Sequence, residues 1–502
     1  MRQNRDIPGA ATGTVANPGP DPNSDSDPSR TPDSAPAPVR ALRLGAIVAV
    51  SCVAQFMIVL DSTIVAVALP AMRESLGLSA AQQQWVVDGY LVALGGLLLF
   101  AARVGDLVGH RRIFRIGLVV FTLASLAGGL ASGGTLLVAA RVVQGIGAAA
   151  LAPSSLSLIA TTHPEAGRRT KALALWSLAG GAAAAVGVVL GGVLTAELDW
   201  RWVLFVNVPI GVALFAASGR FLPRSPRRVG RGRRLDLPGA LLATVAAAIL
   251  TFGFSRAPVD GWGSAPVLGP LVAAPVLLAL FVLVETRSAM PLVPPSFFRS
   301  RRLLVGNAIT FGVGATMTAA LVLITLYLQQ CLGYSALRSG LALVPMTIVL
   351  VAGTLLSRPL LPRIGPHALL AGGGLVAAGG LAWMSCLPTR SAYLVHVLGP
   401  TVVTGFGVSC MLLAVTVAAT SGVDPGNAGA ASGLMTTSRQ IGGALGLAAL
   451  TSVADFAARS AGTADPVAAA VHGYHVAFLA NAGIMLLAVL TVLLLPREPR
   501  RG

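Results

Sequence analysis

The chain has 502 residues, 55% of them hydrophobic and only 11% charged, with a formal net charge of +17 and a mean hydropathy of +0.78. Soluble domains carry roughly a quarter charged residues, so this composition excludes a soluble globular protein. Apolar runs of bilayer-spanning length recur along the chain with arginines clustered between them, which sets aside both a transmembrane β-barrel and a nucleic-acid partner.

Residues 1 to about 38 are rich in Pro, Ser, Asp and Ala and read as a disordered cytoplasmic tail, without the apolar core of a signal peptide. Fourteen helical spans follow, at about 43–69, 85–104, 113–131, 136–159, 172–195, 202–219, 237–254, 266–284, 303–331, 340–356, 367–386, 392–419, 429–451 and 474–495. Alternate loops carry the arginines: Arg111, Arg112 and Arg115, then Arg168 and Arg169, then the run Arg220 to Arg234, then Arg299, Arg301 and Arg302, then Arg358 and Arg363, then Arg497 to Arg501. That bias predicts a cytoplasmic position for these loops and for both termini. Cys52, Cys331, Cys386 and Cys410 lie in or beside apolar runs with no metal spacing, so neither a disulfide framework nor a metal site is expected.

Several spans carry polar groups that a bilayer makes expensive. Asp61, in the outer half of span one, must be solvated, paired or protonated; the alternative is a cap on a helical turn at the outer mouth. Asp88, about one turn into span two, reads equally as a proton-handling group and as an interfacial carboxylate favoured by the helix dipole. Between spans two and three, Gly105 and Gly109 predict a tight turn, with Asp106 pairing to Arg112 or meeting the start of span thirteen, beside Arg111. In span four, Arg141, Gln144, Gly145 and Ala148 share one helical face, which should look into a polar cavity or a close helix contact; an arginine snorkelling to the interface is the rival reading. Gly187, Gly191 and Gly192 in span five allow two helices to approach closely. Asn207, beside Pro209 in span six, needs a partner in the bundle. Residues 220–236 form a basic linker that divides the chain. In span thirteen, Gly429/Gly433 and Gly442/Gly446 repeat the close-packing spacing, and Arg439 is a second buried cation candidate.

Taken together these stretches resemble the major facilitator superfamily, and within it the fourteen-span drug:proton antiporter branch, over about residues 43–495. The 102–112 loop is similar to that family's signature loop, departing at Ala102 and His110, and 358–365 to its degenerate partner, with Pro362 where Asp106 stands. Arg141–Ala149 resembles the fourth-helix motif, whose arginine is implicated in proton coupling, and Asp61–Pro70 the first-helix motif, whose aspartate is implicated in transport. Gly187–Gly192 resembles the fifth-helix antiporter motif, with Val188 where proline is usual.

The resemblance implies an all-α polytopic membrane protein of the major facilitator fold: two six-helix bundles, at 41–219 and 303–496, with a basic linker and inserted transmembrane helix pair at 220–302, and tails at 1–40 and 497–502. It implies proton-coupled efflux of an amphipathic drug, antibiotic or natural product across the cytoplasmic membrane by alternating access. On this reading Asp61 or Asp88 loads a proton from outside and Arg141 competes with it. The expected cavity is largely apolar, with Phe56, Met57, Gln144, Trp176, Asn207, Met317, Tyr327 and Met411 as lining candidates. The protein is expected to be no enzyme and to act as a monomer, without cofactor or metal, driven by the proton gradient; its partners are the substrate, protons and the lipid bilayer. No phosphate-binding loop of the ATP-driven kind appears. An importer or facilitator of a small metabolite on the same fold, and a non-transporting membrane sensor, are the competing readings.

Overall fold

A segment that crosses lipid must satisfy every backbone N–H and C=O internally, which for single apolar runs of this length leaves only the helix. A computed structural model describes residues 37–162, 165–223, 236–288, 291–293, 295–389, 393–420 and 428–495, and all regular structure among them is helical. The predicted tail up to residue 36, the basic run 224–235, Gly426, Asn427 and the segment from residue 496 lie outside the described residues.

The helices are α1 (Ala37–Leu76), α2 (Ala80–Val108), α3 (His110–Gly129), α4 (Gly134–Thr162), α5 (Ala166–Glu197), α6 (Trp202–Phe205), α7 (Asn207–Phe221), α8 (Leu237–Asp260) and α9 (Ala265–Arg287). They continue with α10 (Pro295–Arg299), α11 (Arg301–Leu326), α12 (Ala336–Ser357), α13 (Leu361–Met384), α14 (Gly399–Thr420), α15 (Ala428–Arg459) and α16 (Pro466–Thr491). Fourteen segments are long and apolar enough to cross a bilayer, in the predicted order. The largest boundary differences have local causes. The first span runs on through Pro70 to Leu76, the helix absorbing the missing N–H. Span six is split into α6 and α7 at Val206, because Pro209 cannot donate to Phe205. Span nine ends in a wider π turn at Tyr327–Cys331, and α14 is preceded by another at Tyr393–Leu398.

From Leu44 onward the chain holds together as one unit, with two large apolar clusters inside it. The first is built on Ile64, Tyr90, Phe114, Phe121, Leu137 and Leu158 of α1 to α4. The second is built on Ile309, Leu323, Leu343, Leu381, Met411 and Phe478 of α11 to α14 and α16. Lipid tails are as apolar as leucine, so cohesion here comes from close packing at small residues. A Cβ on Gly147 of α4 would lie 2.6 Å from the Phe121 backbone nitrogen, which shows how nearly α3 and α4 touch.

The same device joins the two clusters. A Cβ on Gly192 of α5 would meet Leu337 Cα at 2.6 Å and Ala336 O at 2.8 Å on α12, and one on Gly95 of α2 would meet Gln440 Cβ of α15 at 2.9 Å. The α8–α9 pair packs beside this seam: Trp85 Nε1 donates to Ser255 Oγ (3.4 Å) and Ser452 Oγ to Phe254 O (2.5 Å), so α8 touches both α2 and α15. α9 lies outermost, with Leu268, Val272, Val276 and Leu283 exposed as a lipid-facing surface would be.

Candidate functional site: a buried ion pair where five helices meet

Arg141 is 1% exposed and Asp61 fully buried. Arg141 Nη1 donates to Asp61 Oδ2 at 2.6 Å and to Gln144 Oε1 at 2.7 Å, while Nε donates to the Val86 carbonyl at 3.0 Å. Its guanidinium lies 4.4 Å from the centroid of the Tyr90 ring, a cation–π contact. The other carboxylate oxygen, Asp61 Oδ1, accepts from Gln144 Nε2 (2.7 Å) and Asn207 Nδ2 (2.9 Å). Both amides also donate to Ser125 Oγ, at 3.2 and 3.1 Å, and Ser125 in turn donates to the Leu204 carbonyl at 2.8 Å. One network therefore joins α1, α2, α3, α4 and α7, with α6 tied in through the Leu204 carbonyl.

Local sequence explains this convergence. Arg141 and Gln144 are one turn apart, and Gly145 brings α4 against α2: a Cβ there would sit 2.5 Å from Tyr90 O. Gly187 and Gly191 of α5 close on α1 around Asp61, facing Thr63 and the Leu60 carbonyl, and Ile64 O, respectively. Thr63 turns its hydroxyl back onto the Val59 and Leu60 carbonyls at 3.1 Å. Gly192 points the other way, onto α12, and the Val188 carbonyl is met by Gly340 of that helix. The fifth-helix glycines thus join α1 on one face and the second half of the chain on the other.

Of the two expected settings for the polar face of α4, the structure shows the close helix contact and not an open cavity, and Arg141 does not snorkel. Other expectations are corrected. Gln144 and Asn207, expected to line a substrate cavity, are buried partners of Asp61. Met57 and Met411 are fully buried in the two apolar clusters; so is Tyr327, whose hydroxyl donates to the Pro388 carbonyl at 2.6 Å. Phe56, Trp176 and Met317 are half-buried, with Trp176 Nε1 donating to Ser155 Oγ at 3.1 Å. Ser125 and Tyr90 were not singled out from sequence as site residues; the signal was one of two hydroxyls, Thr122 and Ser125, in an apolar span and a tyrosine two residues after Asp88.

Asp88 stands apart from the pair. It is fully buried; Oδ2 accepts from Gln84 Nε2 at 2.9 Å, and Oδ1 has no partner. Asp106 departs from expectation too. The α2 helix continues through Gly105 and Asp106, and the reversal is made at Gly109 alone, at φ 103, a conformation that favours glycine. Gly105 instead leaves room for the His110 ring, whose Nδ1 would lie 2.6 Å from a Cβ there. Asp106 Oδ1 meets His110 Nε2 at 3.1 Å, and Oδ2 lies 4.0 Å from Arg103 Nη1. Neither Arg112 nor Arg439 pairs with it among the described residues, where its partners are His110, the first residue after the reversal, and Arg103. Arg111 Nη2 donates to the Gly219 carbonyl at 2.6 Å, tying this turn to the end of α7. Arg439 is half-buried on α15, where its backbone carbonyl faces Gly314 of α11. The second-half turn repeats the first: Gly365 has φ 79 where Gly109 has 103.

A sequence profile described as the Major Facilitator Superfamily matches residues 51–447. The cephamycin export protein CmcT of Amycolatopsis lactamdurans is 44% identical over 448 residues, covering 88% of this chain and 91% of that protein. A puromycin resistance protein of Streptomyces alboniger is 42% identical, covering 86% and 88%. The solved structure of the nucleoside transporter NupG superposes with a TM-score of 0.64 at 11% identity, over 90% of this chain and all of that one, a likeness of fold alone.

Proposed function

The chain belongs to the major facilitator superfamily, and from that premise we propose that it exports an antibiotic-like amphipathic compound by alternating access, coupled to protons through Asp61 and Arg141. It is a multi-pass membrane protein with fourteen candidate spans. The proposed setting is the cytoplasmic membrane, with the arginine-rich ends of the helices and both termini inside. The first cluster with α1–α7 and the second with α11–α16 form the two moving halves, and α8–α9 rides on their seam. Names of relatives such as cephamycin export and puromycin resistance proteins support export of a secreted or toxic natural product over uptake of a metabolite.

The observation that carries the coupling is that every hydrogen-bond partner of the Asp61 carboxylate among the described residues, Arg141, Gln144 and Asn207, is a donor. A proton added to either oxygen turns that acceptor into a donor facing donors. The network answers by rotation: Asn207 Oδ1 is buried with no partner and can accept the new O–H once its amide turns. Arg141, losing its carboxylate, keeps the Val86 carbonyl and Gln144 Oε1. Protonation of one atom therefore changes the contacts between α1, α4 and α7, which is what a proton must do to bias one conformation of the halves over the other. Phe56, Trp176 and Met317 stay as the half-buried surface on which an amphipathic substrate would rest.

The test is puromycin and cephamycin accumulation in cells expressing the protein, with and without a proton uncoupler. Lowered accumulation that the uncoupler restores supports the proposal. Lowered accumulation indifferent to the uncoupler removes the proton from it.

A further inference from the structure

At the helix ends opposite the arginine-rich face lies a chamber of about 80 Å³, lined by polar and apolar side chains alike, that the ion-pair network does not use. Arg73, Gln83, Gln84, Gln330, Asp455 and Tyr474 line it, drawn from α1, α2, the π turn after α11, α15 and α16. Both halves of the chain thus contribute. A buried water needs roughly 10–15 Å³, so the chamber has room for several. Arg73 and Gln330 also line a wider, open vestibule of about 930 Å³ and form the septum between the two spaces. The septum is lightly held: Arg73 Nη1 donates to Gln83 Oε1 at 3.2 Å, and Tyr474 Oη to Gln330 Oε1 at 3.0 Å. Two buried polar atoms on this side of α2 have no protein partner, Gln83 Nε2 and Asp88 Oδ1. Gln84 spans the distance, lining the chamber while donating to Asp88 Oδ2.

We propose that this chamber is the port through which protons from outside reach Asp88, with Asp455 as the carboxylate that draws them past the Arg73 septum. The proposal rests on the proton-driven reading and adds a second carboxyl to it. Asp88 does not itself line the chamber, so the proton passes from a hydronium there through water beside Gln84 to Asp88 Oδ1: one O–H bond forms at Asp88, one breaks in the hydronium, and its electron pair stays with the water released. The bound proton removes the charge from a buried carboxyl whose Oδ1 has no partner among the described residues. The charges around this route are few. Arg141 on α4 is occupied by Asp61; Arg256 and Asp260 on α8 pair with each other at 2.7 Å; Arg73 and Arg459 are the cations near Asp455, and Tyr474 faces it from α16.

The test uses dicyclohexylcarbodiimide, which adds to neutral carboxyl groups within a membrane. The full chain is labelled in right-side-out vesicles, with internal pH clamped and external pH varied, and the modified residue is located by peptide mass spectrometry. Labelling of Asp88 should be lost as external pH rises, and Thr451→Leu, at an α15 residue that also lines the chamber and would fill it, should abolish that dependence. If Thr451→Leu does not fold, Thr451→Cys in a chain without its native cysteines, blocked from outside by a membrane-impermeant thiol reagent, should do the same. Labelling that follows internal pH, persists unchanged across external pH, or never reaches Asp88 overturns the port. No substrate is involved, so a chain that fails to move drug against a pH gradient would refute proton-driven export and leave this measurement standing.

Discussion

Removing one charge from the Asp61–Arg141 pair strands the other in a site with almost no exposure. In Asp61→Asn, Arg141 keeps Val86 O, Gln144 Oε1 and the Tyr90 ring, but loses its only anion. Breaking a buried pair in this way costs about 3–5 kcal/mol, and the surviving contacts place this case at about 3 kcal/mol. Arg141→Gln strands Asp61 with Gln144 and Asn207 still donating, for a similar loss. The double variant Asp61→Asn/Arg141→Gln carries no buried charge, and its amides can pair with one another. Its loss should fall short of the summed single losses by about 2 kcal/mol. Unfolding of the purified protein in mild detergent, followed by near-ultraviolet circular dichroism in a denaturant titration, measures all four members of the cycle. A coupling under about 0.5 kcal/mol would refute the claim that this pair organises the first bundle. All three variants should lose proton-driven efflux: Asp61→Asn and the double variant because no carboxyl remains at residue 61, and Arg141→Gln because Asp61 loses the cation that competes with the proton.

Other positions give separate checks. Gly192→Val should express but transport poorly, because its side chain would enter the backbone of Ala336 and Leu337; drug resistance of expressing cells against a surface-expression control reads this. Asp106→Asn should lower transport while keeping expression, and His110→Arg, which keeps a donor opposite Asp106, should preserve it, as uptake kinetics would show. Cysteines at Arg228 and Asp260 should be labelled from opposite sides of the membrane, and labelling of both from one side would break the fourteen-span topology.

The spans were legible because a helix that crosses lipid has to be apolar along its whole length, and such runs are visible in a linear sequence. Asp61 and Arg141 stood out for the complementary reason, as charges inside those runs. Their pairing was not legible: the residues are 80 apart in sequence, and contact depends on how α1 and α4 pack. The substrate-lining residues fared worse. Met57, Tyr327 and Met411 are large and adaptable, and nothing in the chain says which face of a helix looks across the seam and which into its own bundle. The turn at 102–112 shows a third limit. Its glycines predicted a turn over both Gly105 and Gly109, but α2 continues through the first, with the Gly109 N–H still bonded to the Gly105 carbonyl, and packing against His110 explains why a glycine stands there.

The central claim is that substrate movement and proton movement are coupled through Asp61. Purified protein in liposomes, given a puromycin gradient and no pH gradient, should drive protons in the opposite direction, reported by a pH dye inside the liposomes. Asp61→Asn should abolish that proton flux while still binding puromycin. Puromycin movement by the unaltered protein with no opposing proton flux, or undiminished proton flux in Asp61→Asn, would contradict the account.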